Sequence, residues 1–164
     1  MWLDPYNSTV RNYIDDLVTE LAQMGFDEIV LNNLAHPVTE SELLYSETMS
    51  FDPTPIAGIS GFAVSLSSAA EESGAALSVV LGTDTLTEGL SEQTGQDEEL
   101  FFKVFDRVCA SADSAWQHSV NQETISSYIT VGDASQRFLP IIAYAPEDST
   151  NWIVVVPDEV LGIE

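Results

Sequence analysis

The chain of 164 residues contains 27 Asp and Glu residues but only four Lys and Arg residues, which gives a formal net charge of −23. This charge argues against binding to nucleic acid or to anionic membranes, because both need a basic surface. Apolar residues make up 45% of the chain, so it can bury a core and is not disordered throughout. The single cysteine, Cys109, excludes an internal disulfide and a thiolate zinc site, and no run of about 18 apolar residues predicts a membrane span.

The first predicted element is an amphipathic helix that begins near Asn7 or Ser8. Its apolar residues recur every three or four positions, and polar residues fall between them. Asn7 and Ser8 are both suited to cap the first turn. Gly25 suits the left-handed position that ends a helix, and Phe26 can fold back toward Leu21. The apolar positions are Val10, Tyr13, Ile14, Leu17, Val18, Leu21 and Met24.

The rest of the chain alternates between predicted strands and predicted helices. Strands are predicted at 28–33, 76–81, 106–111, 138–144 and 152–156, and helices at 56–73, 97–105 and 119–131. Two long loops are predicted at 34–55 and 83–96. This alternation is typical of βα units around a parallel sheet, so the predicted fold class is α/β.

The last two predicted strands depart from this pattern. About seven residues, 145–151, join them, whereas a parallel crossover needs a dozen or more residues. The sequence therefore predicts a C-terminal antiparallel β-hairpin, with Pro140 favouring an edge position for its strand. Because a complete βα barrel needs about 250 residues, residues 1–164 are expected to form one domain that is part of a TIM-like barrel. A second copy of the chain is a candidate to cover its open sheet edges.

Several short motifs then point to a family. They are Trp2-Leu3-Asp4-Pro5-Tyr6, Met24-Gly25-Phe26-Asp27-Glu28-Ile29, Gly95-Gln96-Asp97 and Phe105-Asp106-Arg107-Val108. In order and spacing, over roughly residues 1–115, they resemble glycoside hydrolases with an alpha-amylase-like TIM-barrel fold. The resemblance implies that the chain corresponds to the C-terminal part of such a barrel and acts on carbohydrate.

The motif that would carry the chemistry is degenerate. The family's first strand of this region ends in Phe-Asp-Tyr-Val-Arg-Phe-Pro, whereas this chain has Leu31-Asn32-Asn33-Leu34-Ala35-His36-Pro37. The resemblance thus places Asn32 at the position of a catalytic carboxylate and Ala35 at the position of its arginine partner. Glycoside hydrolysis generally needs two carboxyl groups, and an amide can serve neither as nucleophile nor as base. Asn32 can still donate and accept hydrogen bonds with sugar hydroxyls.

Two groups of residues are candidates for a site at the ends of the strands. Asp84 and Asp113 are the candidate catalytic carboxylates, since each lies two or three residues beyond the end of a predicted strand. With 27 acidic residues in the chain, an ordinary role in a solvated loop is the alternative for both. The candidate substrate-binding residues are Asn32, Asn33, His36 and Trp116, with Trp2, Tyr6 and Tyr45 as further aromatic residues that can stack on a sugar. The alternative for the asparagines is the satisfaction of loop amides, and the alternative for the aromatic residues is ordinary packing.

Three functions remain open from the sequence. The first is a carbohydrate-active domain with a degraded catalytic site that binds a glycan. The second is a non-catalytic structural or interaction domain of a larger cell-envelope protein, and the third is an active hydrolase that uses Asp84 and Asp113. The spacing of His, Cys and acidic residues predicts no metal site, and no motif predicts a cofactor. The family resemblance implies an extracytoplasmic or cell-envelope location.

Overall fold

Each of the first four strands follows at least one helix in the described part of the chain, and three helices lie between the second and third strands. The computed structural model describes residues 2–40, 45, 54–143 and 151–155. The strands are β1 (Glu28–Leu31), β2 (Ala76–Leu81), β3 (Arg107–Ser111), β4 (Phe138–Ile142) and β5 (Ile153–Val154). The helices are α1 (Ser8–Gln23), α2 (Pro55–Ser73), α3 (Thr83–Leu86), α4 (Ser91–Thr94), α5 (Glu98–Val104), α6 (Ala115–Tyr128) and α7 (Ala134–Arg137).

The helix boundaries follow from capping side chains. The Asn7 side chain accepts hydrogen bonds from the amides of Thr9 and Val10, so Asn7 caps α1. Thr54 caps α2 in the same way, and Pro55 at its first position fits a helix start because proline has no amide hydrogen to satisfy. Gly74, with φ of 81°, ends α2 in the left-handed conformation. The sequence therefore marked the ends of the two longest helices.

The five strands form one parallel sheet in the order β1-β2-β3-β4-β5, curled into a half-barrel. Every second strand residue faces the helices and is buried against them. This core contains the outward residues Ile29, Leu77, Val79, Leu81, Val108 and Phe138, together with helix residues such as Leu66, Phe101 and Phe102. The α/β class and the partial TIM-like barrel predicted from the sequence are confirmed.

The predicted C-terminal hairpin is wrong, because β4 and β5 pair in parallel. Their register joins Ile141 to Ile153 and Ile142 to Val154, so β5 begins opposite the second-last residue of β4. The connection therefore has to return by only about one residue rise rather than by the full length of a strand. A short connection can cover this distance. The rule that a parallel crossover needs a dozen or more residues applies to strands that overlap along their full length. The predicted ends of these strands, Tyr144 and Val156, lie outside the described residues.

Pro140 lies in β4, which is flanked by β3 and β5 and is therefore not an edge strand. The carbonyl of Ile141 accepts from Ala112 on the β3 side, and that of Ile142 accepts from Val155 on the β5 side. By alternation, the nitrogen of Pro140 faces β5, one residue before the pairing with β5 begins. The missing amide hydrogen therefore breaks no ladder bond to β3.

Smaller differences concern the connections. The predicted loop 83–96 contains α3 and α4, each of four residues, and α7 was not predicted. Helix α6 begins four residues before the predicted start because the Ser114 hydroxyl accepts from the Gln117 amide and caps it. The described part of the predicted loop 34–55 contains no helix or strand before Pro55, and its remaining residues lie outside the described ranges.

Candidate functional site

Four of the predicted site residues lie at the carboxyl ends of three neighbouring strands. Asn32 and Asn33 directly follow β1, Asp84 lies just beyond β2, and Asp113 lies just beyond β3. Because β1, β2 and β3 are parallel neighbours, their carboxyl ends meet at the same edge, where βα barrels form their sites. Asn33 adopts a positive φ of 60°, a conformation that asparagine tolerates better than most residues.

The larger cavity at this edge has a volume of about 340 Å³ and lies above β1 and β2. The Trp2 indole lines it together with exposed polar side chains from both strand ends. Those side chains bring two amides and one carboxylate to one space, which is a donor and acceptor set suited to a polyhydroxylated ligand. The lining residues are Trp2, Asn32, Asn33, Ala35, His36, Pro37, Val38, Val80, Gly82, Asp84, Thr94 and Gln96.

A second cavity of about 190 Å³ lies between the ends of β2 and β3 and also borders Gly82. Asp113, Gln117 and Asn121 line it, together with the hydroxyl-bearing residues Thr83, Thr87 and Ser111. Gln117 Nε2 donates to Asn121 Oδ1 at 2.8 Å, and Asn121 Nδ2 donates to the Ser111 carbonyl at 3.4 Å. The two candidate catalytic carboxylates therefore line two adjacent cavities, Asp84 the larger one and Asp113 the smaller one, and both side chains are exposed.

Gln96 forms the base of the larger cavity and is almost fully buried, with 1% of its surface exposed. Its Nε2 donates to the carbonyls of Leu34 at 3.2 Å and Val80 at 3.1 Å. Its Oε1 accepts from the Gly82 amide at 2.9 Å and from the Thr85 hydroxyl at 2.7 Å. All four hydrogen-bonding positions of the amide are used, so Gln96 joins the chain beyond β1 to the end of β2.

His36 lies at the side of the same cavity but is buried, with 4% exposure. The Tyr6 hydroxyl donates to the Thr54 carbonyl at 2.8 Å, so it can only accept from His36 Nε2, which lies 3.4 Å away. The Tyr45 hydroxyl lies 3.5 Å from His36 Nδ1 and is placed to donate to it. This arrangement fits a neutral imidazole, and burial lowers the pKa of His36 from its ordinary value. Burial also raises the pKa of Tyr6 to about 12.

The two tryptophans considered from the sequence have different surroundings. Trp116 lies at the start of α6 with 72% of its surface exposed, and it lines neither cavity. Trp2 is 51% exposed and lines the larger cavity next to Asn32 and Asn33. Trp2 is therefore the better-placed aromatic platform, although Trp116 was the first candidate from the sequence.

The described residues show no group of three or more His, Cys, Asp or Glu side chains arranged to hold a metal ion. Within the same ranges, no helix combines the length and the apolar character needed to cross a bilayer. Cys109 is buried in β3, and burial raises the pKa of its thiol to about 11, so it is not a ready nucleophile.

Sequence reasoning assigned no role to Gln96, Gln117 or Asn121. The signal for Gln96 in the sequence was the motif Gly95-Gln96-Asp97. In the structure, Gly95 has a positive φ and Asp97 caps α5, so the residue between them has a fixed position. For Gln117 and Asn121 the signal was their four-residue spacing at the start of a helix, which places both side chains on one face.

Comparison with known proteins agrees with this fold. Residues 1–155 match the model of the family described as "Putative glycosyl hydrolase domain". The fold is similar to the solved PgaB (BpsB) glycoside hydrolase domain from Bordetella bronchiseptica, with a TM-score of 0.60 and 15% sequence identity. The alignment covers 85% of this chain and 49% of that chain, so this chain spans about half the length of the solved structure.

No curated protein matches the sequence. At 15% identity, the structural similarity shows the fold alone. The family model, in contrast, covers well over half of the chain. The chain therefore belongs to this family of glycosyl hydrolase domains.

Proposed function

We propose that this domain binds a glycan at the carboxyl ends of β1 and β2 and lacks the hydrolytic chemistry of its family. The observation that carries the proposal is the presence of the Trp2 indole, the Asn32 and Asn33 amides and the Asp84 carboxylate in one cavity of about 340 Å³. This volume lies in the usual range of small-molecule sites, about 300–1,000 Å³.

The chemistry of these side chains supports a sugar as the ligand. An exposed indole offers an apolar face for the C–H face of a pyranose ring. Amides donate and accept, and a carboxylate accepts, so together they can satisfy sugar hydroxyls in either role. The net charge of −23 repels anionic ligands, so neutral glycans are favoured over uronic acids or sulfated sugars.

The loss of hydrolysis is inferred from the carboxyl groups. The position at which the family resemblance implies a catalytic carboxylate holds Asn32, which lies exposed at the mouth of the cavity. Among the described residues, 2–40, 45, 54–143 and 151–155, the larger cavity is lined by one carboxyl group and the smaller one by another, whereas hydrolysis needs two groups flanking one bond. Both carboxyl groups are exposed, whereas a general acid works from a site that excludes water.

The test of binding uses a panel of neutral and anionic oligosaccharides on an array, followed by titration calorimetry with those that bind. Replacing Trp2 by alanine is expected to weaken binding by at least about tenfold, because stacking on an aromatic face is lost. Trp116→Ala removes the same side chain outside the cavities and is the matched control, with an expected change below about twofold. No binding by the wild type, or equal losses in both variants, would contradict the proposal.

The test of hydrolysis uses aryl glycosides with the wild type, Asp84→Asn and Asp113→Asn. We expect no turnover above that of buffer for any of the three. Turnover by the wild type that either substitution abolishes would show instead that the domain is an active hydrolase with a replacement carboxylate.

A second candidate function is a non-catalytic interaction domain of a larger cell-envelope protein. The observation that favours it is the half-open sheet, whose concave side carries exposed apolar residues such as Val30. Under either function we propose that residues 1–164 act as a single domain in an extracytoplasmic or cell-envelope setting. Glycan binding that depends on Trp2 would favour the first function over the second.

A further inference from the structure

The two cavities at the carboxyl ends of the strands meet at Gly82, which lines both of them. The register that pairs Leu81 with Ala110 continues to place Gly82 beside Ser111, so the boundary between the cavities lies where β2 and β3 end. Neighbouring strands of a sheet are about 4.8 Å apart. A ligand in the larger cavity therefore reaches the smaller one by extending about one strand spacing along this edge.

Gly82 presents no side chain at this boundary, although its backbone does not require glycine. Its φ of −69° is open to any residue. A Cβ atom at this position would lie 3.4 Å from Gln96 Oε1, so a longer side chain would project toward the base of the larger cavity, at its border with the smaller one. The glycine therefore adds no obstacle between the two cavities.

Two amide hydrogen bonds fix the Gln117 side chain at the smaller cavity. Asn121 is buried, with 5% exposure, and its Nδ2 donates to the Ser111 carbonyl at 3.4 Å. Asn121 Oδ1 accepts from Gln117 Nε2 at 2.8 Å, which orients the Gln117 amide. Gln117 Oε1 accepts no hydrogen bond from the described residues. It is thus an acceptor that is held in place for a ligand, which reduces the entropy lost on binding.

The other polar groups of the smaller cavity are the Asp113 carboxylate and the hydroxyls of Thr83 and Thr87, on exposed residues. The carboxylate accepts hydrogen bonds, and the hydroxyls and the Gln117 amide both donate and accept. All four Lys and Arg residues lie in the described part of the chain, and none of them lines either cavity. This set of side chains fits a neutral polyhydroxylated group better than an anion.

The size of the smaller cavity favours an extension of the main site over a separate site. Its volume of about 190 Å³ is below the usual range of small-molecule sites, about 300–1,000 Å³, whereas the larger cavity, at about 340 Å³, lies within that range. Its described lining residues include no aromatic side chain on which a sugar could stack. A ligand anchored in the larger cavity is already immobilised, so it gains the contacts of the smaller cavity at little further entropic cost.

We propose that the glycan bound at this site has at least two sugar units, one in the larger cavity and the next, across Gly82, in the smaller cavity. This inference rests on the proposed glycan binding and adds the length of the ligand and the place of its second unit. Gln117 and Asp113 bind the hydroxyls of the second unit. Asp113 is therefore a binding residue in the second position and does not act with Asp84 on one glycosidic bond.

The experiment compares ligands of increasing length, namely glucose, maltose and maltotriose, and the corresponding series of mannose and of galactose. NMR titration of the protein signals measures weak monosaccharide binding, and titration calorimetry measures the oligosaccharides. In a series that binds, the disaccharide is expected to have a Kd at least about tenfold below that of the monosaccharide, because hydrogen bonds in the smaller cavity are added. Trp2→Ala is expected to weaken binding at every length, since the first unit loses its platform.

Gln117→Ala tests the place of the second unit. It is expected to raise the Kd of the disaccharide at least about fivefold and that of the monosaccharide less than about twofold. Asp113→Ala is a second variant with the same expected pattern, and replacing its exposed side chain is expected to leave the fold intact. Gln136→Ala is the matched control, because Gln136 is exposed and lines neither cavity, and circular dichroism confirms that each variant is folded.

A Kd that does not fall from monosaccharide to disaccharide would overturn this inference and leave the proposed glycan binding in place. The same conclusion follows if Gln117→Ala and Asp113→Ala change neither Kd, or change both equally, because the second unit would then lie elsewhere. If the wild type binds no glycan of the panel, the proposed function fails and this inference fails with it.

Discussion

At the scale of single residues, the hydrogen bonds of Gln96 connect the two strand ends that form the candidate site. A buried amide is tolerated in a protein core only when its hydrogen bonds are made, and those of Gln96 connect the carbonyls of Leu34 and Val80 with the amide of Gly82. These contacts span the ends of two strands and end at the cavity that Asn32 and Asp84 line. The position of the cavity walls therefore depends on one side chain that does not itself face solvent.

Replacing Gln96 by methionine is expected to lower the free energy of unfolding by about 2–4 kcal/mol, because several buried backbone groups lose their partners while the side-chain volume is kept. Gln93→Met is the control, since Gln93 is exposed, and it is expected to change stability by less than about 0.5 kcal/mol. Urea denaturation followed by circular dichroism measures both. Equal stabilities of the two variants would show that the Gln96 contacts contribute little.

His36 is expected to make the stability of the fold depend on pH. Its pKa is lowered in the folded state by burial, so the unfolded chain binds a proton at a higher pH than the folded chain does. Its contribution to stability is therefore complete above the ordinary histidine pKa of about 6.5 and is lost as the pH falls below that value. Lowering the pH also reduces repulsion among the acidic residues, which acts in the opposite direction.

The comparison of wild type with His36→Gln separates these two effects. Between about pH 7.5 and about pH 5, the wild type is expected to lose stability relative to the variant, since glutamine does not titrate. His118→Gln provides a parallel comparison, because burial lowers the pKa of His118 too. Melting temperatures across this pH range test the prediction. A constant difference between wild type and His36→Gln would show that His36 titrates alike in both states.

At the scale of elements, α2 is positioned by close contacts at its N-terminal turns. A Cβ atom at Gly58 would lie 2.5 Å from the Tyr6 ring, which is held in place by its hydrogen bond to the Thr54 carbonyl. A Cβ at Gly61, one turn later, would meet the Arg11 guanidinium at 3.4 Å, which is ordinary contact. Gly58 therefore permits the Tyr6 ring to pack against α2, whereas Gly61 has no such role.

The two glycines give a matched pair of substitutions within one helix. Gly61→Ala is expected to stabilise the protein by up to about 1 kcal/mol, because alanine is the better helix former. Gly58→Ala gains the same propensity but is expected to be destabilising by about 1–3 kcal/mol through overpacking against Tyr6. Thermal denaturation distinguishes them. Stabilisation by both substitutions would show that the Tyr6 ring moves aside at little cost.

At the scale of the whole molecule, the few cationic side chains have partners within the chain. Arg11 donates to the carbonyls of Pro5 and Gly58, and Arg137 donates to those of Phe102 and Phe105. Lys103 pairs with Glu99, and Arg107 pairs with Glu28. Few of the 27 acidic residues can therefore be neutralised internally, and dissolved cations have to screen the rest.

Raising NaCl from about 10 mM to about 500 mM is expected to increase the melting temperature by several degrees, because the Debye length falls from roughly 30 Å to below 10 Å. Measuring at low protein concentration limits any contribution of self-association to the melting temperature. A flat or falling melting temperature would show that repulsion does not limit the stability of the fold.

The sequence by itself determined the α/β class, the strand at residues 76–81, the start of α1 and the end of α2 at residue 73. These features depend on local periodicity and on capping side chains, which can be seen within a short window. The motifs around Trp2, Gly25 and Gln96 also indicated the family, and Asn32 at the position of a family carboxylate is the basis of the proposal that the site lacks hydrolytic chemistry. Such information is carried by the identity and order of neighbouring residues alone.

Only the tertiary structure decided the direction of β5, the role of Gln96 and the choice of Trp2 over Trp116. Each depends on contacts between residues far apart in the chain, such as Gln96 with Leu34 or Ile141 with Ile153. The crossover rule assumed strands that overlap along their full length, whereas β5 pairs with only the end of β4. The direction of β5 and its register with β4 are properties of the assembled sheet and not of any one segment.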